Sequence, residues 1–578
     1  MIERIIDICA RNRVAVFLAV GVMLAWSVWC IKNTPLDALP DLTDTQVIIA
    51  TEWMGRSPDL IEDQITYPLV TSFLAAPKVK LVRGFTMFGM SFVYVIFEDD
   101  TDVYWARSRT LEYLSKMQGR LPPGVTPQIG PDATGLGWVF EYALVDDTGK
   151  HDLQQLRSFQ DWYLRYWLSS VPGVAEVASV GGYEKQYQIE VDPTRLQVYR
   201  LSVVDISNAV RASNLDVGGR VLELAGHEYA VRGRGYIQKK EDIEQIVVGT
   251  DGRGTPIRVG DIARVQIGGN IRRGFAELDG KGEAVGGIVI MRYGENALEV
   301  IDRIKKKLEE VRPAFPEGMR LVTTYDRSDI IKASVKTLTD NILQVMLIVC
   351  VMIALFLLHV RSALVAAITL PIAVALSFIP MYYMGLTANI MSLAGIIIAI
   401  GDMVDSAVVL VENAHRKLEH EPARPRTEVI IEAARELGPS IFGSLLVIAV
   451  SFLPVFVLEA QEGRLFKPLA YTKTFSMLFA SLLSITLVPM LMVLLIRGKI
   501  RPEQKNPLNR FFIWLYRPVL RFCLKARYAI LALVILLFGV TIPVFNRLGS
   551  EFMPPLEEGS ILYMPITCLL YTSDAADE

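Results

Sequence analysis

Residues 399–413, AIGDMVDSAVVLVEN, set Asp402, Asp405, Glu412 and Met403 inside an otherwise apolar run. An ionised carboxylate in a lipid-spanning helix is costly, so such groups are rare and usually face a partner or a pathway. Because lipid disfavours the charged form, an aspartate there can alternate between charged and neutral states and so carry a proton. A second carboxylate nearby couples to that titration. The plainer reading is an aspartate hydrogen-bonded to a neighbouring helix for packing alone. At about 100° per residue, Asp405 and Glu412 fall within about 20° of one face, with Asp402 about 60° from Asp405. Asp402 and Asp405 are then i, i+3 neighbours, while Met403 lies on nearly the opposite side with Leu410 below it. The helix offers one acidic stripe and one soft, apolar stripe. Thioether sulfur is a soft neutral ligand suited to Cu(I) and, by the same logic, Ag(I). Methionine also fills helix interfaces with no ligand role.

The elements that must position these residues are membrane spans. Of 578 residues, 52% are hydrophobic, and the mean hydropathy is positive. A transmembrane helix needs about 20 mostly apolar residues. The stretches 14–31, 339–358, 363–384, 390–412, 439–458, 470–496 and 527–546 meet that requirement. The first follows Arg4, Arg11 and Arg13 and has no small-x-small cleavage site before Lys32, so it reads as an uncleaved span rather than a signal peptide. Basic residues crowd the connections 359–362, 415–426 and 497–527, and the opposite loops 385–389 and 458–467 carry no excess. That bias predicts a cytoplasmic N-terminus, with 32–338 and the segment after about 547 outside the cytoplasm. Residues 508–527 alternate aromatic and basic side chains, as an interfacial amphipathic helix does. His415 and His420 fall in a basic loop and are expected to be solvated.

Residues 32–338 read as globular α+β structure. TQVIIATEW (45–53), a helical run at 57–75, strands near 79–86 and 91–98, and a second helix at 102–121 give the order βαββα of a ferredoxin-like split βαβ unit. The order recurs: 138–145, a helix at 152–170 and 175–182 open a second unit, which 283–293, a helix at 296–313 and 320–326 complete. Residues 183–273, richer in glycine and β-formers, are an insertion between its halves. The fold class is a multi-span α-helical membrane protein carrying repeated ferredoxin-like βαβ units.

Several functions are disfavoured. The net charge is −3 and no basic stripe is interleaved with aromatics, so nucleic acid is not an expected partner. The five cysteines are scattered without CxxC spacing, which argues against a disulfide framework or a thiolate metal site. GxxxxGK[ST] is absent, as are GxSxG and HExxH, so neither an ATP-driven pump nor a hydrolase is indicated.

PLDALPDLTDTQVIIATEW, IFEDDTDVYWARSRTLEYL, GPDATGLGWVFEYALVD, TTYDRS, EAQEGRLF and RGKIRPEQKNPLNRF resemble the heavy-metal branch of the resistance-nodulation-division (RND) exporters over residues 1 to about 567. The resemblance implies a trimeric, proton-driven transporter in the inner membrane of a Gram-negative bacterium. It also implies a periplasmic porter domain (32–338), a docking subdomain at 183–273, and periplasmic-adaptor and outer-membrane-channel partners. It divides the rest into a first span (1–31), spans 2–6 (339–496), a cytoplasmic connector (497–526), a seventh span (527–546) and the start of a second periplasmic domain (547–567). Residues 568–578 do not continue the pattern and look non-native, so the chain is expected to be part of a longer protein. Asp405 matches the family's intramembrane aspartate and is the implied proton carrier; Glu412 begins the family's EN pair near the cytoplasmic end. Asp402 matches neither the copper/silver nor the divalent-metal pattern, so it is either a second relay carboxylate or a neutral hydrogen-bonding residue. Met391, Met403, Met477 and Met492 match positions on the metal path of copper/silver pumps, whereas Ile271 and Leu410 depart from it. The implied cargo is Cu(I) or Ag(I) exchanged for protons, with no resident cofactor. The alternatives are an RND exporter of divalent metals or organic compounds, and a membrane-anchored periplasmic sensor or scaffold.

Overall fold

A computed structural model describes residues 2–549 and 559–564, apart from 100, 118, 252, 272–273, 358, 422 and 498–505. The expectations for 547–567 thus fall mostly, and those for 568–578 entirely, outside the described residues.

Helix α1 (Ile2–Arg11) leads into α2 (Arg13–Asn33), the first apolar helix. The first α+β unit follows with β1 (Gln46–Glu52), α3 (Pro58–Ile61), a π turn (Glu62–Thr66), α4 (Tyr67–Leu74), β2 (Val79–Met87), β3 (Met90–Phe97), α5 (Val103–Lys116) and β4 (Gln128–Ile129). Its sheet has the order β2-β3-β1-β4, with β1 antiparallel to both neighbours. This is the split βαβ arrangement. Alternation makes it so: Val47, Ile49 and Thr51 of β1 are buried between less buried neighbours, and Val93 and Val95 of β3 match them. Ile61, Ile65, Leu69 and Phe73 form the helical stripe laid on that face, in the same buried cluster. Asp102 starts α5 by accepting the Trp105 N–H at 2.8 Å.

The second unit repeats the plan. After β5 (Trp138–Asp146) come α6 (Leu153–Phe159), a π turn, α7 (Arg165–Ser169) and β6 (Val174–Val180). The insertion runs through β7 (Lys185–Val191), α8 (Pro193–Tyr199), α9 (Val203–Ser213), β8 (Val217–Leu224), β9 (His227–Gly233), α10 (Lys240–Glu244), β10 (Val247–Thr250), β11 (Pro256–Arg258), α11 (Val259–Ile262) and β12 (Ala263–Gly269). β12 pairs with β7 from Ala263–Val191 to Gly269–Lys185, so the inserted segment closes on itself. β13 (Val285–Met291), α12 (Ala297–Val311) and β14 (Met319–Asp326) then complete a sheet of order β14-β5-β13-β6, the same order as the first.

From Arg327 the chain is helical: α13 (Arg327–Leu357), α14 (Val360–Tyr383), α15 (Ile390–His420), α16 (Arg426–Val450), α17 (Ala460–Ile485), α18 (Leu487–Leu495), α19 (Pro507–Lys525) and α20 (Arg527–Phe545). Seven of these, α13–α18 and α20, together with α2 account for the apolar stretches. The stretch 470–496 is not one straight span, because α17 and α18 meet at a 50° bend. α19 is the amphipathic helix after the basic connection. Cys30, α14, α15, α16, α17 and α18 share one buried apolar cluster.

By contact the chain separates into two units. One comprises Met1–Val139, Met291–Arg303 and Asp326–Ile561; the other includes Phe140–Ile290 and Ile304–Tyr325. The 32–338 segment is therefore shared between them, and the first α+β sheet belongs with the helices.

Candidate functional site

α15 begins at a capping box, where Asn389 accepts the Ser392 N–H at 2.9 Å and Ser392 Oγ accepts the Asn389 N–H at 2.7 Å. It runs alongside α17. They pack tightly at Gly395, where a Cβ would run into the Thr472 hydroxyl and the Leu469 carbonyl. Small residues at such crossings let membrane helices pack backbone to backbone.

That approach sets the two faces of α15. Met403 and Leu410 are buried, and Met403 shares the central cluster with Met477 of α17 and Met492 of α18. Met381 of α14 and Met490 of α18 are buried in the same cluster. Met391 is half-buried at the start of α15 and is not among the side chains of that cluster. Ile271 is 71% exposed in the insertion's closing segment, in the other unit. Asp405 and Glu412 lie on the outward face of α15, with Ile398 and Val409.

Asp402 stands between these faces, and it is not alone. Lys473 of α17 places Nζ 3.1 Å from its Oδ2. The lysine side chain is 7% exposed and the aspartate 36%. Lys473 Nζ also sits 3.7 Å from the ring centroid of Phe452, which packs a π face against the cation. A carboxylate and an ammonium that neutralise one another form the arrangement expected of ionisable groups inside a helix bundle. Asp402 is thus ion-paired, and Lys473 is the candidate-site residue that span-counting passed over. Its signal was a lysine within YTKTFSM, in a stretch otherwise apolar enough to cross a membrane.

At the upper end of α17, Arg464 donates to the carbonyls of Leu42 and Thr43 and to the Asp99 carboxylate, with Asp44 3.3 Å away. Arg327 at the start of α13 pairs with Asp37 at 2.7 Å and donates to the Leu136 carbonyl. Asp37 is buried enough that its carboxyl is pushed up from the usual range, against the pull of Arg327.

At the opposite end the expectation for His415 fails. α15 continues past the apolar run to His420, so His415 is helical and 7% exposed rather than solvated. The extension is held by Asn413, which donates to the Ala433 carbonyl at 3.2 Å, and by Lys417, which pairs with Glu432 and Glu436 of α16. His415 and His359 both reach Ser362. His420 is exposed.

The sequence matches the AcrB/AcrD/AcrF family profile over residues 5–568. It is 52% identical over 576 residues to the Cation efflux system protein CusA of Escherichia coli (strain K12), covering 98% of this chain and 55% of that protein. It is 36% identical over 580 residues to the Cobalt-zinc-cadmium resistance protein CzcA of Cupriavidus metallidurans, covering 97% and 54%. A crystal structure of a heavy metal efflux pump superposes with a TM-score of 0.83 at 28% identity, covering 99% of this chain and 55% of that one. The chain spans about half the length of the relatives it matches.

Proposed function

The chain belongs to the AcrB/AcrD/AcrF family, and on that premise we propose that it is the N-terminal half of a proton-driven exporter of monovalent copper and silver. The observation that carries the reading is the division of α15. Asp405 occupies one face, an Asp402–Lys473 ion pair stands beside it, and Met403 is buried on the far side in a cluster with Met477 and Met492. One helix thus serves both a proton carrier and a set of soft sulfur ligands.

In this reading Asp405 is the residue that takes up and releases the proton. A mid-span carboxylate does not face lipid, so the outward face bearing Asp405 and Glu412 is covered by the remaining spans of the pump or by a water-filled cavity. Asp402 holds Lys473 and keeps a fixed charge next to the titrating group. Met403, Met477 and Met492, with Met391 nearer the outer end, hand Cu(I) or Ag(I) along the bundle; the metal is cargo. Three copies form the working unit in the inner membrane of a Gram-negative cell. The α+β units stand in the periplasm, where an adaptor and an outer-membrane channel meet them.

The test is metal tolerance in a copper- and silver-sensitive strain carrying the full-length gene. Asp405→Asn should abolish tolerance to both metals while the protein is still inserted at normal levels. Retained tolerance would reject the proton-relay role, and loss of zinc or cobalt tolerance instead would reassign the cargo.

A further inference from the structure

Three side chains at the end of the bundle marked by basic loops form a continuous hydrogen-bonded row. Ser362 Oγ lies 2.6 Å from His415 Nε2 and 2.7 Å from His359 Nδ1. His359 Nε2 lies 3.0 Å from the carbonyl oxygen of Arg497. The two rings are 5.3 Å apart, nearly edge to face. Ser362 is fully buried, His415 almost so, and His359 is half-buried. The row therefore leads from the interior toward the surface.

The direction of every hydrogen bond follows from its last member. A carbonyl oxygen only accepts, so neutral His359 holds its proton on Nε2 and offers a lone pair at Nδ1. Ser362 must donate its hydroxyl to that lone pair, and its oxygen then accepts the Nε2–H of His415. The unprotonated nitrogen of His415 is Nδ1. Charged residues neighbour the row in sequence, and none is bonded to it through its side chain among the described residues. Arg361 precedes Ser362 on α14, Arg416 and Lys417 flank His415 on α15, and Arg497 follows α18. Glu432 and Glu436 of α16 are engaged by Lys417. The last three turns of α13 and α17 at this end carry no charged residue.

We propose that His415–Ser362–His359 is the cytoplasmic outlet of the proton path. It lies about 15 Å along α15 from Asp405, and the proposal rests on the proton-driven reading above. A proton binds His415 Nδ1, and the Nε2 proton passes to Ser362 Oγ. The serine's own proton passes to His359 Nδ1, and His359 releases its Nε2 proton to water. One proton enters and one leaves, and only N–H and O–H bonds form or break. The starting order returns when the rings exchange protons with water and the hydroxyl turns back.

The experiment uses the full-length pump in vesicles loaded with a pH-sensitive dye, with silver ion as cargo. Ser362→Ala should slow proton release roughly tenfold or more, and Ser362→Thr, which keeps the hydroxyl, should restore most of it. Asp405→Asn should abolish it. If Ser362→Ala matches wild type while Asp405→Asn is dead, the outlet is wrong and the proton-driven reading stands. If Asp405→Asn still moves protons, both fall. Should the alanine variant not fold, nitrogen NMR of the wild-type histidines decides: both in the Nε2–H form at neutral pH upholds the row, and an Nδ1–H His359 overturns it.

Discussion

Lys473 and Asp402 are 3.1 Å apart on two helices that touch backbone to backbone two turns away, at Gly395. The ion pair and the close crossing belong to one interface, so each depends on the other.

Removing Lys473 leaves the Asp402 charge, 36% exposed, without its partner, at a cost of at most about 3 kcal/mol. Lys473→Met should therefore destabilise the protein by up to that amount, and Asp402→Ala added to it should recover much of the loss. Thermal unfolding in detergent for the two single variants and the double variant gives the coupling. Additive effects would show that the two residues do not act as a pair.

Gly395→Ala adds one methyl group where the Thr472 hydroxyl and the Leu469 carbonyl already fill the space. Overpacking of this kind costs about 1–3 kcal/mol. The helices must part, so the variant should also lengthen the Lys473–Asp402 contact. A lowered unfolding temperature together with partial loss of transport, in a variant that alters no ionisable group, is the expected result.

Met403→Leu and Met477→Leu nearly conserve volume and should each cost less than about 1.5 kcal/mol. If the sulfurs carry metal, silver tolerance should fall severalfold while the unfolding temperature barely moves. Unchanged tolerance would return both methionines to packing.

Asp146 provides a pH marker outside the membrane. The Thr148 hydroxyl, the His151 N–H and the Thr148 N–H hold its carboxylate at about 2, below the ordinary 3.8. A depressed carboxylate contributes stability that is complete above the unfolded value and is lost as pH falls through the folded one. The stability difference between wild type and Asp146→Asn should be constant above pH 3.8 and shrink toward pH 2. Melting curves across that window test it.

Both sheets were legible because each rests on local alternation. Val47 and Ile49, or Val93 and Val95, declare a buried face within one strand, whereas the pairing order within each sheet depends on contacts distant in sequence and came only from the structure. The opposite faces of α15 also followed from helical geometry, since Met403 and Asp405 differ by two positions. What stayed hidden depended on partners distant in sequence. Lys473 disappears when hydropathy is averaged over a span, and its meaning comes only from Asp402, 71 positions earlier. His415 looked like loop because the apolar run ends near 412. The helix continues on the strength of the Ala433 carbonyl and two glutamates of α16. The α17–α18 bend, by contrast, has its cause in the sequence: Pro489 cannot donate to the Ile485 carbonyl four residues back and clashes with it, so the helix breaks at Thr486.

α17 is a helix of 26 residues, about 39 Å long, with Pro468 inside it between Arg464 and Lys473. It is bolted at one end through Arg464 to the segment that leads into β1, and it is gripped near its middle by Asp402. At its other end a 50° bend separates it from α18, whose side chains share its buried cluster. Losing or gaining the grip on Lys473 would act on this lever partway along its length. The load would be felt at Leu42 and Thr43, at the foot of the first β-sheet, so a charge change within the bundle has a mechanical route to the α+β unit above it.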